Sequence, residues 1–249
     1  MRTALQKLAL LGRILRSYLI AWTFGGCLGA IVFFFMRCGR IQIRELDRLE
    51  RAAFDGRTII LTNHPSLLAE TFLLGAVIAP LYLKNPRRAF WTMPDAQLLD
   101  LWRMPRWLRN GLQCIEVDRR SPMKSGRAAV QAMKVLRQGG SIIAHPEMGR
   151  TFGKANKGKT PLVRKNRAMQ KIDGSSLALI ASKSGALILP GWVDVPYAQE
   201  ALPLGACIWR LFTQRGVIVF SFLEPPYRPE EPFDLIRENA RLQEKIFDA

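Results

Sequence analysis

Histidine occurs only twice in the chain, at 64 and 145, and cysteine four times, at 27, 38, 114 and 207. Two isolated histidines leave no cluster to share a metal. Four cysteines without paired spacing suggest neither a zinc site nor a disulfide framework, and a reducing compartment is the simplest inference. No Gly-x-Ser-x-Gly elbow is present, and nothing marks a cysteine as a reactive nucleophile. Acidic residues are scarce as well: 20 Asp and Glu stand against 37 Lys and Arg, for a net charge of +17, and none falls in residues 1–44 or 150–171. Such an excess implies an anionic partner, either nucleic acid or the phosphate surface of a membrane, and charge alone does not choose between them. No internal repeat or low-complexity tract interrupts the chain.

What is present begins with an apolar N-terminal region. Residues 1–44 hold seven basic side chains, Arg2, Lys7, Arg13, Arg16, Arg37, Arg40 and Arg44, around an uncharged run from Ser17 to Met36. Twenty residues would make a helix of about 30 Å, enough to cross a hydrocarbon core. The run is too long, and too poor in cleavage signals, to read as a secretory leader. Both flanks are basic, so the positive-inside rule gives no clean vote. Gly25, Gly26 and Gly29 would let the segment bend into a monotopic hairpin, and spanning and monotopic insertion both stay open. Residues 1–50 are therefore expected to be a membrane-anchoring segment and 51–249 one catalytic domain. Anionic membrane lipids are the expected partners.

Beyond it, Ile41, Ile43, Leu46 and Leu49 are spaced for one face of an amphipathic helix. Thr58 to Thr62 is a β-branched apolar run after a turn at Asp55-Gly56 and predicts a buried strand. Residues 66–78 predict a helix, so His64 sits at a strand-to-helix junction, facing a cleft. A His with a carboxylate six residues on, Glu70, can be a base held in one tautomer by its acidic partner. Further strands are expected at 89–92, 112–117, 141–144, 187–190 and 216–223, with helices at 123–138, 174–184 and 230–247. This alternation argues for a single-domain α/β fold, an open sheet flanked by helices, with a membrane helix or hairpin ahead of it. Between 93 and 108, Trp102, Met104 and Trp107 interleave with Arg103 and Arg106, and Arg109 follows; such a mixture suits a lipid headgroup interface. From Arg150 to Lys171 eight cations occur with no acid, as expected of a mobile cover over a phosphate-bearing substrate. Only Phe152 is aromatic there and no nucleic-acid motif accompanies it, so no nucleic acid is expected.

Four separated stretches, in order, resemble the glycerolipid acyltransferase family, whose members acylate glycerol phosphate and lysophospholipids. Asn63-His64-Pro65-Ser66-Leu67-Leu68 is similar to the family's first motif, with the acid one residue late, at Glu70 where Ala69 would be expected. Gly111 to Arg119 resembles the second motif. Pro146-Glu147-Met148-Gly149-Arg150-Thr151 resembles the third, keeping Pro, Glu and Arg. Leu187 to Pro190 resembles the fourth, an apolar strand ending in proline.

The resemblance implies an O-acyltransferase that takes a fatty acyl group from acyl-CoA or acyl-carrier protein to the hydroxyl of a lysophospholipid, lysophosphatidic acid or a relative. No cofactor or metal is implied. His64 would be the general base and Glu70 its carboxylate partner; Asp118 or Glu147 are the other candidates for that partner. Arg119 and Arg150 would grip the acceptor phosphate, since arginine offers two parallel hydrogen bonds, and Glu147 would shape the acceptor site. The altered middle of the third motif suggests a divergent acceptor such as an aminolipid. A noncatalytic lipid-binding scaffold on the same fold is the alternative. The expected location is the membrane, at the cytoplasmic face of the inner (plasma) membrane.

Overall fold

The computed structural model describes residues 12, 15, 19, 23, 26–65, 74–77, 90–101, 103–147, 160–164, 167–172, 175–195, 213 and 216–249. In chain order the elements are α1 (Gly26–Arg37), β1 (Ile41–Arg44), α2 (Leu46–Asp55), β2 (Thr58–Thr62), α3 (Leu74–Val77), β3 (Trp91–Thr92), α4 (Ala96–Leu101), α5 (Arg106–Gly111), α6 (Pro122–Arg137), β4 (Ile142–Ala144), β5 (Leu162–Arg164), β6 (Arg167–Met169), α7 (Leu177–Ser184), β7 (Leu187–Asp194), β8 (Ile218–Ser221) and α8 (Leu235–Asp248). Six strands form one sheet in the order β1-β8-β7-β2-β4-β3. Every pair is parallel except β7 with β8.

Both faces of this sheet are covered, which is why β2 reads as an unbroken apolar run. Ile60 points to one face, where it meets Phe35 of α1, Leu49 and Ala53 of α2 and Leu74 of α3 in a single buried cluster. Ile59 and Leu61 point to the other, into a cluster with Ala132 and Leu136 of α6, Ala178 and Ala181 of α7 and Leu242 and Ile246 of α8. Successive strand side chains thus serve opposite layers. The turn into β2 is built on Gly56, whose φ of +72° and 2.0 Å approach of a would-be Cβ to the Gly139 carbonyl oxygen leave no room for a side chain.

The α/β sheet flanked by helices agrees with the expectation; several elements differ from it. Among the described residues no helix is long and apolar enough to cross a membrane. Helix α1 is 12 residues long; Val32 and Phe35 are buried against the sheet while Ile31, Phe33 and Phe34 are exposed. Ile41 and Ile43 lie on strand β1, not on a helix, because their two-residue spacing pairs in register with Ile218 and Phe220 of β8. The strand expected at 112–117 is reduced to isolated parallel bridges, Thr92 with Cys114 and Asp95 with Val117, after Gln113 turns with φ 55°. Strand β7 continues through Pro190 to Asp194. The Ile188 N–H and carbonyl both pair with Tyr227, and pairing with β8 resumes only at Trp192. The missing N–H of Pro190 faces that gap and breaks no ladder bond. Helix α8 begins at Leu235 because Asp234 caps Ile236 and Arg237.

The described part of the basic 150–171 stretch is an ordered hairpin, β5 with β6. Its cations serve α8: Arg164 lies 3.7 Å from Glu244 and from Asp248, while Arg167 donates to the Phe247 carbonyl at 2.5 Å and covers the Trp192 ring. Burial lowers the Arg167 pKa. These two arginines are structural; residues 150–159 and 165–166 of the expected substrate cover lie outside the described residues.

Candidate active site

Parallel pairing of β2 with β4, Leu61 opposite Ala144, brings the loops that follow both strands to one edge of the sheet, the edge where open α/β sheets bind ligands. Asn63 and His64 leave β2 there, and His145 and Glu147 leave β4. Asn63 is buried and clasps the neighbouring strand: its side-chain N–H donates to the Val193 carbonyl at 2.9 Å and its oxygen accepts from the Val193 N–H at 2.7 Å. Glu147, 3% exposed, accepts the His64 N–H on Oε1 at 2.5 Å and the Gln170 N–H on Oε2 at 2.6 Å. The main chain on either side of the imidazole is thus fixed from two directions, by a carboxylate on one neighbouring strand loop and an amide locked to the other.

The His64 ring is half-buried, with its Nδ1 enclosed. It stacks on the ring of His145, centroids 4.4 Å apart and planes inclined by 12°. His145 is held in turn by Thr62, its Nδ1 lying 3.1 Å from the hydroxyl and 3.4 Å from the carbonyl oxygen. His145 is the residue that sequence reasoning passed over. The available signal was the order of the chain: both histidines immediately follow apolar strand runs that prove to be neighbours.

The other expected site residues divide into three groups. Glu147 joins His64, but through the two backbone N–H groups rather than through a surface open to an acceptor. Arg119 lies at the same edge of the sheet, beyond the Asp95–Val117 bridge at the far side of β3, and its Nε is 3.8 Å from Asp95. It is about one-third exposed. Glu70 and Arg150 lie outside the described residues. As the alternative carboxylate partner, Asp118 is disfavoured by its contacts: it accepts from Lys124 at 2.9 Å and from the Arg120 N–H at 3.1 Å. Those two hydrogen bonds hold its pKa below the ordinary value, and they commit it to its own loop.

Arg109 does not face lipid; it is 12% exposed, paired with Asp100 at 2.7 Å and Glu116 at 3.1 Å, and donates to the Met104 carbonyl. The Asp100 hydrogen bond raises its pKa. Trp107 on α5 is exposed, as are Arg103 and Arg106. Burial pushes the Cys114 thiol up, the reverse of what an activated nucleophile needs. No group of His, Cys, Asp and Glu that could hold a metal occurs among the described residues. At the strand ends stands the His64 imidazole, its main chain held by Glu147 and its ring lying against that of His145.

Comparison with known proteins bears on the same region. The family model "Acyltransferase" matches residues 40–195, a span that contains Asn63, His64, Arg119, His145 and Glu147. The crystal structure of the 1-acyl-sn-glycerophosphate (LPA) acyltransferase PlsC from Thermotoga maritima is similar in fold, with a TM-score of 0.58 and 17% identity over 97% of this chain and 85% of that one. No curated protein matches by sequence. With more than half of its length matched by the family model, the chain belongs to the acyltransferase family.

Proposed function

We propose that this acyltransferase moves a fatty acyl group from a thioester donor, acyl-CoA or acyl-carrier protein, to the hydroxyl of a lysophospholipid, lysophosphatidic acid or a close relative, at a membrane surface. The observation that carries the reading is His64 at the end of β2, its backbone N–H held by the buried Glu147 carboxylate and its ring stacked on His145.

A thioester is already activated, so the enzyme's work is to place the acceptor hydroxyl and remove its proton as it attacks the carbonyl carbon. His64 takes that proton. The hydroxyl oxygen forms the new ester bond, the carbon–sulfur bond breaks, and the thiolate leaves and is protonated. Glu70 holds the imidazole and stabilises its protonated form. Arg119 and Arg150 meet the acceptor phosphate, a geometry in which Arg119 exchanges its long contact with Asp95 for a bidentate one. Exposed Phe33 and Phe34 of α1, together with the net charge of +17, suit the cytoplasmic leaflet of the inner membrane.

The test is transfer from labelled acyl-CoA and acyl-carrier protein to a panel of lysolipids with phosphate, glycerol and amine headgroups, with Arg119→Ala beside wild type. Diacyl product from a phosphate-bearing acceptor, with KM for that acceptor raised in Arg119→Ala, supports the reading. Product from none of the panel contradicts it.

A further inference from the structure

The second histidine has no part in the proton transfer just described, yet its position is as well defined as that of the first. The two rings lie nearly parallel at 4.4 Å, the separation of an offset stack. Thr62, the last residue of β2, engages His145 Nδ1 with its hydroxyl and its carbonyl oxygen. The hydroxyl can accept from an Nδ1–H or donate to an unprotonated Nδ1, and in either tautomer the contact ties the His145 ring to strand β2. Thr62 is fully buried and in register with Gly191 of β7, so this anchor belongs to the rigid centre of the sheet. A face-to-face neighbour anchored in this way restrains rotation of the His64 ring about its side-chain torsions. Glu147 and Asn63 fix the His64 main chain and leave that rotation to be settled by the ring's own contacts.

We infer that His145 is a positioning residue for the acyl-transfer base: it holds the His64 imidazole in the plane from which it takes the acceptor proton, through its ring face and not through its own ionisation. The inference rests on His64 being the base. It assigns His145 no contact with substrate and no proton of its own.

Phenylalanine keeps the flat ring face and loses the Nδ1 contact with Thr62, so it should serve in part where alanine does not. His145→Phe, His145→Ala and, as a reference for loss of the base, His64→Ala are compared for kcat and for KM of the lysolipid acceptor. His145→Ala is expected to lose about 10- to 100-fold in kcat with KM little changed, as a misaligned base does, and His145→Phe, which keeps the stacking face without the Thr62 anchor, to recover part of that loss. Ring-labelled histidine gives a readout independent of turnover, because the chain contains only two such rings. The His64 ring-proton resonance should move downfield in His145→Ala, where the shielding of the stacked ring is gone, and stay near its wild-type position in His145→Phe. Wild-type kcat in His145→Ala, equal impairment of the Phe and Ala variants, or a loss carried in KM would each overturn the inference. Should His64→Ala keep wild-type activity, the base assignment itself fails, and that outcome is distinct from a failure of His145 alone.

Discussion

At the scale of single residues the account turns on Glu147. A carboxylate this buried, accepting two backbone N–H groups from segments far apart in sequence, contributes two charge-assisted bonds that an amide cannot reproduce. In Glu147→Gln one oxygen still accepts, while the side-chain N–H₂ is turned against a donor. The variant is expected to lose about 1–3 kcal/mol of stability in urea unfolding, and kcat falls further than stability alone explains because the His64 loop is released. Unchanged stability and activity would show that the clamp does not position the base. The motif residues Asn63, His64 and Glu147 were legible in the sequence because each follows an apolar strand run and fits a family pattern. Their contacts were not: His64 and Glu147 are 83 residues apart, and only the parallel register of β2 with β4 makes them neighbours. The His145 stack depends on the same register and was invisible for the same reason.

At the scale of elements, β2 and β7 form the platform of the site, and Gly191 of β7 is in register with Thr62 of β2. A Cβ there would lie 2.6 Å from the Phe222 ring and 3.0 Å from the Thr62 methyl. Gly191→Ala is expected to cost about 1–3 kcal/mol by overpacking and, by displacing Thr62, to lower acyl transfer; thermal unfolding and kcat together check it, and a wild-type pair of values would contradict the close packing. Elements with a strong period were readable in the sequence. Helix α6 was expected at 123–138 and found at Pro122–Arg137, framed by the Ser121 cap and by Gly139. β2 and β4 were found where apolar runs were bounded by turns. The misread elements were those with too few residues to display a period: Ile41 and Ile43 fit either a helix lead-in or a strand until β8 supplies a partner. The cations of β5 and β6 looked like a substrate cover because sequence does not show that Glu244 and Asp248 of α8 lie opposite Arg164.

At the scale of the whole molecule, the helices that cover the sheet leave apolar side chains outside. Helix α1 buries Val32 and Phe35 and turns Phe33 and Phe34 outward, 64% and 59% exposed, on a molecule of net charge +17. Such a surface should bind vesicles containing anionic lipid, with a charge-dependent part lost in high salt and an apolar part that persists. Phe33→Glu with Phe34→Glu is expected to weaken co-sedimentation with such vesicles by at least about 10-fold, since carboxylates resist transfer into the acyl boundary; undiminished binding would place the membrane contact elsewhere. The proposed chemistry stands on one imidazole, and it is tested most directly by kcat for acyl transfer to the acceptor the wild type uses best, measured for His64→Ala. General-base catalysis predicts a loss of at least about 100-fold with the fold intact. A folded His64→Ala variant that turns over at the wild-type rate would contradict it.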